Sequence, residues 1–488
     1  MGCTSFHAVH EMRTAGPLPC CRQINVYYNE KTNARAFSFA EKKFLPASAH
    51  LPLRPSSRVS AREPGFCYTL RMVRLAVIGG GPAGYMAAIS AAPGGIPAAA
   101  AGAPSAPELS IFDAGVPLAT LLRTGGGRCN IANTLTDKQE LAAQYPRGGK
   151  FLFSAFARFG PREVITWFVS RGCPLQEEEG GRMFPRSGRA EDVRDLLAGE
   201  AKRLGIRVHA QAAVTAMKRT ESGFSLTTSR GVQVFDRVVI ATGGDAKDSP
   251  GSGYALASAL GHTVTPLAPS LAALVAQEKW PGTVAGLTLR QARLSARFQG
   301  KKLAVETGDM LFTHTGVSGP LAFRISSRSA FLDFSAASPL QLELSPLPDR
   351  KPPEIEATLL QAVTRSPHQR VAEAVRQLVP RSLAEAIVDL AGIDPLMPCS
   401  HLGREARKGI ERLVERLPIT VIGREKGNEM VTAGGIVLSE VDPRSMESRL
   451  VPGLFFCGEV LDIDGFTGGF NLLAAWSTGR CAGLAAAS

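Results

Sequence analysis

The run Gly79-Gly80-Gly81-Pro82-Ala83-Gly84 is the part of this chain whose residue types and spacing best suit a chemical task, because it offers bare backbone to a phosphate. In a GxGxxG pattern Gly79 permits a tight turn, Gly81 lets the main chain approach a pyrophosphate, and Gly84 allows a helix to pack closely on a strand. Pro82 and Ala83 would open that helix, whose unpaired N–H groups and dipole favour bound anions. The spacing alone is a weak signal, but here it stands in the context it requires. Val73 to Ile78 is a short apolar, β-branched run that reads as a buried parallel strand, and Tyr85 to Ala92 reads as an Ala-rich helix. A second strand, Leu109 to Phe112, ends in Asp113, the acid expected to take ribose hydroxyls. Asp113 lies farther from the glycines than the usual spacing of about 20 residues, because a Gly/Ala/Pro-rich loop, 93–107, intervenes. The plainer alternative for Asp113 is a surface acid at a strand end.

A second constellation closes the chain. Leu454 to Cys457 reads as a strand ending in Gly458-Glu459, followed by a loop with Asp462 and Asp464. Gly468-Gly469-Phe470-Asn471 then opens a final helix running to about Ala487. A carboxylate at Glu459 suits ribityl hydroxyls. The helix N-terminus at Gly469 to Asn471 suits the pyrimidine end of a flavin, where negative charge develops on reduction. An N-terminal GxGxxG paired with this C-terminal segment specifies FAD rather than dinucleotides in general. Two further stretches join them. Thr124 to Asn130 is a glycine-rich loop in which Gly126 and Gly127 would lie against the cofactor, Arg128 would pair with pyrophosphate, and Asn130 would meet the flavin edge. Cys129 within it reads as small packing, since no base stands near it in sequence. Val238 to Ile240 reads as a buried strand ending in Ala241-Thr242-Gly243, expected near the adenosine side.

The elements that position these residues make an α/β chain: a split Rossmann-like FAD-binding domain of the two-dinucleotide type, with an inserted β-rich plus helical domain. The expected division is 72–264 and 431–488 for the cofactor domain and 265–430 for the insertion. Within the insertion, 265–344 is rich in short strands, such as Leu287–Leu294 and the alternating Leu340–Leu344, suggesting a small antiparallel barrel or sheet. Residues 352–416 have helical spacing. Residues 1–71 show no periodicity and read as an extension or a start site assigned too far upstream, since Met72 directly precedes the first strand; an organellar transit peptide is the competing reading.

Composition excludes several classes. Hydrophobic residues are 44% and charged residues 20%, a globular balance, and no uninterrupted apolar run reaches membrane-spanning length of about 18 residues. Nine cysteines lie scattered without a CxxC pair, which argues against a disulfide scaffold, a metal site or a dithiol reductase and for a reducing, cytoplasmic location. The net charge of +12 suits an anionic cofactor or substrate and leaves RNA open.

The motifs at 79–84, 124–130 (TGGGRCN), 181–185 (GRMFP), 241–244 (ATGG), 251–263 (GSGYALASALGHT), 312–320 (FTHTGVSGP) and 453–479 resemble, in order, the BaiN-type flavoproteins, also known as the aminoacetone-oxidase family. The resemblance covers about 73–488. It implies FAD and an inserted substrate domain. The family is linked to amine oxidation, to reduction of enone bile-acid intermediates and to reduction of a uridine in ribosomal RNA, so the cofactor follows from it and the substrate does not. The loop 93–107 and the N-terminal extension depart from the pattern. The expected activity is hydride transfer through flavin N5 to or from a C=C or C–N bond of a small molecule. NAD(P)H is the expected transient reductant, since no second GxGxxG exists. Competing readings are a uridine-reducing enzyme acting on ribosomal RNA, an oxygen-using amine oxidase and a flavin carrier without turnover. A basic surface drawn from Arg290, Arg293, Lys301, Lys302, Arg404, Arg407 and Lys408 would favour RNA. His314, in a polar loop suited to lie over the flavin, is the candidate acid/base group, with loop shaping as its alternative role. His262 reads as structural.

Overall fold

A computed structural model of the chain describes residues 24–28, 35–39, 73–93, 107–244, 252–425, 427 and 429–488. The expectations for residues 1–71 and for most of the loop 93–107 fall outside these, apart from an antiparallel pair, Ile24–Tyr28 with Arg35–Phe39. That pair belongs to a unit separate from Thr69–Ser488.

The larger unit begins with β1 (Arg74–Ile78), α1 (Pro82–Ala91) and β2 (Glu108–Phe112). Leu75 to Ile78 are all buried, so this strand is covered on both faces, as its continuous apolar run requires. The helix begins earlier than its apolar residues indicate. Gly81 is its N-cap and Pro82 its first residue, a position where proline loses no hydrogen bond. β3 (Arg207–His209) and β4 (Arg237–Ile240) follow, and an antiparallel three-stranded sheet, 214–235, precedes β4.

The chain then leaves this sheet to build a closed barrel from β5 (Leu274–Ala276), β6 (Thr288–Phe298), β7 (Lys301–Phe312), β8 (Gly316–Ser318), β9 (Leu340–Ser345) and β10 (Leu417–Arg424), with α2 (Gly319–Arg328) after β8. The closed order is β5-β8-β7-β6-β9-β10. Alternate residues fill the interior, among them Leu294, Met310, Phe312, Leu342, Leu344, Ile419 and Val421. Four helices between 352 and 415 intervene before β10 closes the barrel. Leu287–Leu294 is therefore part of a longer hairpin, and the barrel extends past 344 to a strand on the far side of the helices.

β11 (Leu454–Phe456) returns to the first sheet, and α3 (Phe470–Ala487) ends the chain. The sheet order is β11-β4-β1-β2-β3, all parallel. The order reverses between β1 and β4, which opens a crevice at the carboxyl ends of those strands, the usual ligand position in such sheets. α3 crosses α1 closely, since a Cβ on Gly483 would stand 2.0 Å from Ala87 O.

Trp476 of α3 is fully buried, donates its indole N–H to Ile131 O at 3.0 Å and meets Phe168 edge-on. Trp476→Phe keeps a ring but orphans that buried carbonyl. It is expected to lower unfolding free energy by about 2–3 kcal/mol, checked by chemical denaturation.

No helix among the described residues is long and apolar enough to cross a membrane.

Candidate functional site

The first glycine turn separates what the fold requires from what a ligand requires. Gly79 has φ of 107° and donates its N–H to Phe112 O at 2.8 Å; a Cβ there would strike Ala241 O at 2.2 Å. A Cβ on Gly84 would stand 2.0 Å from Gly79 O. Gly81 differs from both. Its backbone is extended, with φ −84° and ψ −175°, and a Cβ on it would meet nothing within 4 Å. Nothing in the packing of the described residues needs glycine at 81. The space beside it, at the N-terminus of α1, is what a pyrophosphate would fill.

Asp113 lies at the end of β2, and its carboxylate accepts from Gly80 N and Gly115 N, both at 2.7 Å. These two bonds aim the group beside the glycine turn. Each carboxylate oxygen retains a lone pair for a hydroxyl donor.

The loop Thr124–Asn130 runs through left-handed backbone at Gly125, Gly126, Gly127 and Cys129. A Cβ on Gly126 would again meet nothing within 4 Å. Cys129 is fully buried, and burial pushes its thiol up to about 12, so it packs and does not react. Arg128 has a partner other than the expected pyrophosphate. Its guanidinium pairs with Glu178 at 2.7 Å and lies 4.1 Å over the ring of Phe184. Asn130, with its amide turned to satisfy its neighbours, accepts from Gly469 N at 3.0 Å and donates to Met183 O and Ala132 O. Asn133, which the sequence reading missed, is buried and donates to Gly180 O at 2.9 Å and Gly468 O at 3.0 Å. The two asparagines thus pin the start of α3, Asn130 from the glycine-rich loop and Asn133 from the short strand after it. The only signal for Asn133 in the sequence is a second asparagine three residues after the first.

The closing segment meets the first turn directly. A Cβ on Gly458 would stand 2.7 Å from Ala83 Cβ, and Gly458 N bonds to Thr478 Oγ1 at 3.0 Å. Ala83, just after Pro82 in the first turn of α1, therefore lies against the C-terminal motif. Ala241 N bonds to Ile78 O at 2.7 Å, which holds Ala241-Thr242-Gly243 against the same turn. Glu459 accepts from Thr432 N at 2.8 Å and lies across Gly244, whose Cβ would stand 2.5 Å from its Oε1. Burial pushes this carboxyl up to about 7, with the charge of Asp464 adding and the Thr432 N–H opposing. Gly468 and Gly469 have positive φ, Tyr145 Oη donates to Phe470 O at 2.7 Å, and Asn471 bonds Gly465 through both its amide oxygen and its amide nitrogen at 2.8 Å.

Asp464 has no exposed surface. It is bound by Arg147 and accepts from Ser270 Oγ at 2.9 Å and Ser327 Oγ at 3.1 Å. His314 is exposed in the turn between β7 and β8. His262 is buried between Glu440 at 3.0 Å and Ser448 at 2.8 Å, and burial holds its pKa down, so it braces two segments. No group of three or more His, Cys, Asp or Glu suited to a metal occurs among the described residues.

The structure therefore sets the Gly79–Gly84 turn against Ala241 and Gly458, and sets Asn130 against Gly469. The HI0933-like protein Rossmann domain profile matches residues 73–485. A 3-dehydro-bile acid delta(4,6)-reductase of Clostridium scindens is 31% identical over 420 residues, which cover 85% of this chain and 99% of that protein. Ribosomal RNA dihydrouridine synthases of Escherichia coli and Haemophilus influenzae are each 28% identical, over 74% and 77% of this chain and 87% and 92% of theirs.

Proposed function

The chain belongs to the HI0933-like Rossmann-domain family and is an FAD-dependent oxidoreductase, and from that premise we propose that it reduces a C=C bond of a small organic substrate with NAD(P)H as electron donor. The observation that carries the cofactor's placement is the open space at Gly81, the N-cap of α1, where a Cβ would meet no described residue within 4 Å. In this reading Gly79, Gly81, Pro82, Ala83 and Gly84 hold the pyrophosphate, Asp113 takes the ribose, Ala241, Thr242 and Gly243 line the adenosine side, and Glu459 takes ribityl hydroxyls. Gly126 and Gly127 lie against the cofactor, and the Gly468–Asn471 turn, braced by Asn130, faces the pyrimidine ring. When bound, FAD supplies a hydride-carrying N5. The remaining work falls to the chain: α3 presents N–H groups where negative charge develops, and the barrel excludes water. Residues 72–264 and 431–488 form the cofactor domain and 265–430 the substrate domain, with His314 as the candidate proton donor on the roof. The C=C assignment leans on the reductase at 31% identity. Five described cysteines are free and buried, which suits a reducing, cytoplasmic setting.

The test is anaerobic mixing of the FAD-loaded protein with NADH and with NADPH, followed by an α,β-unsaturated ketone. Bleaching near roughly 450 nm, the usual flavin band, and its recovery on adding the enone are expected. No bleaching by either nucleotide would remove the nicotinamide-driven reading.

A second reading, reduction of a uridine in ribosomal RNA, is favoured by one surface. Arg290, Arg293, Arg297, Lys301 and Lys302 are exposed on β6 and β7, with Arg297 opposite Lys302, and none forms an ion pair among the described residues. Such an uncompensated stripe suits a phosphate backbone. Arg407 does not extend it, because its guanidinium caps Leu402 O at 2.9 Å. Loss of dihydrouridine from ribosomal RNA on gene deletion would select this reading, and an unchanged modification profile would reject it.

A further inference from the structure

A fully buried carboxylate is costly unless each of its oxygens is satisfied, and Asp464 obtains its partners from three separate parts of the chain. Arg147 binds it from the loop 144–152, Ser270 from the strand Ala268–Ser270 that precedes the barrel, and Ser327 from α2. Arg147 also donates to Ser327 Oγ at 3.0 Å and Ser327 O at 3.2 Å, so the cation grips α2 and the carboxylate together.

Ser327 is not the only residue of α2 that reaches this turn. Arg324 and Arg328 lie over the ring of Phe466 at 4.4 and 5.3 Å, and Arg324 donates to Gln144 Oε1 at 3.2 Å. Positions 324, 327 and 328 share one helix face. On the other side of the turn Gln144 O accepts from Phe466 N at 2.9 Å. The turn 464–466 is therefore clamped between the loop 144–152 and α2. It leads within three residues to Gly469, the N-cap of α3.

The N-terminal end of α2 is Gly319, directly after β8 and the 313–315 turn that carries His314. One rigid helix thus has the roof turn at one end and the Asp464 clamp at the other. We propose that Asp464 is a positioning residue: with Arg147 and Ser327 it fixes α2, and through α2 sets the height of the roof turn 313–318 over the flavin. The proposal rests on the placement of FAD given above. It predicts that Asp464 contributes to ordering the roof without touching cofactor or substrate.

The test compares wild type with Asp464→Asn and Ser327→Ala, each as the full chain with and without FAD. Amide exchange is followed in the 313–320 segment and in α1, and the midpoint potential of bound flavin is measured by photoreduction against a dye. In Asp464→Asn, exchange in 313–320 is expected to quicken about tenfold or more while α1 keeps its protection, because loss of a local clamp opens locally. The flavin potential is expected to rise, since a buried negative charge beside Arg147 is removed while Asp462 still faces the cation. Ser327→Ala removes one hydrogen bond from each partner without changing charge. It is expected to quicken 313–320 exchange by a smaller factor and to leave the potential unmoved. Unchanged 313–320 exchange in Ser327→Ala, or loss of protection spread equally over α1, overturns the proposal, and Ser327→Ala decides the matter if Asp464→Asn does not fold. The exchange comparison on the flavin-free chain stands even if the wild type takes up no FAD, which would refute the cofactor placement instead.

Discussion

Gly81→Val is expected to weaken FAD binding on the order of 100-fold or more while costing the flavin-free fold no more than about 1 kcal/mol. The separation of the two effects follows from the space at that position. A Cβ on Gly81 meets nothing within 4 Å among the described residues, and the extended backbone there accepts a β-branched residue. The modest stability cost is the poorer N-cap. The binding cost is large because the new methyl groups stand where the pyrophosphate must approach the main chain. Gly84→Val is the matched control. Its Cβ would stand 2.0 Å from a backbone oxygen that cannot rotate away, so the expected outcome is little folded protein, a cost above about 4 kcal/mol. Titration of the flavin-free proteins with FAD, beside denaturant unfolding of each, separates the two outcomes. Tight FAD binding by Gly81→Val would mean that the pyrophosphate lies elsewhere.

Glu459→Gln is expected to remove a pH dependence that the wild type carries. The carboxyl is raised by burial from 4.5 to about 7, so the folded chain keeps a proton that the unfolded chain releases. The folded state binds more protons between those two values, and stability therefore falls as pH rises through that window, with a limiting slope of about 1.4 kcal/mol per unit. Below 4.5 the effect is fully favourable to folding; above about 7 it is fully lost. Glutamine keeps the acceptor for Thr432 N and does not titrate, so the flavin-free variant should show a flatter profile in thermal unfolding at pH 5, 6, 7 and 8. FAD adds a second sign. A ribityl hydroxyl donating to Glu459 favours the ionised form, so wild-type affinity should strengthen as pH rises through about 7 and the glutamine variant should not follow. Glu459→Ala, which also loses the bond to Thr432 N, should bind little flavin at any pH.

What could be read from the sequence was what local rules determine. The strand–glycine–helix unit at 73–92 is set by residues adjacent in the chain, and Gly79 and Gly84 have the conformations and contacts that their spacing requires. The closing strand, Gly458-Glu459 and the last helix were legible for the same reason. The partners that complete the site were not, because they come from distant segments. Arg128 reads as a partner for pyrophosphate, and no local pattern announces its ion pair with Glu178, 50 residues on. Asp464 looked like one acid in an acidic loop, and its cation lies 317 residues earlier. Asn133 has no motif at all; its value comes from two carbonyls, one of them 335 residues away. The barrel followed the same division. Its alternating strands showed themselves as strands, but closure depends on β10 pairing with β5 and β9 across four intervening helices, and no local pattern encodes that pairing.

In the proposed site two segments far apart in the chain, 79–84 and 458–471, hold one FAD. The most direct measurement is the flavin released on denaturing the purified, FAD-reconstituted chain, identified by mass and counted per chain. FAD, one per chain, is expected in the wild type, and its loss in both Gly81→Val and Glu459→Ala. Release of FMN, no flavin after reconstitution, or full FAD content in either variant would contradict it.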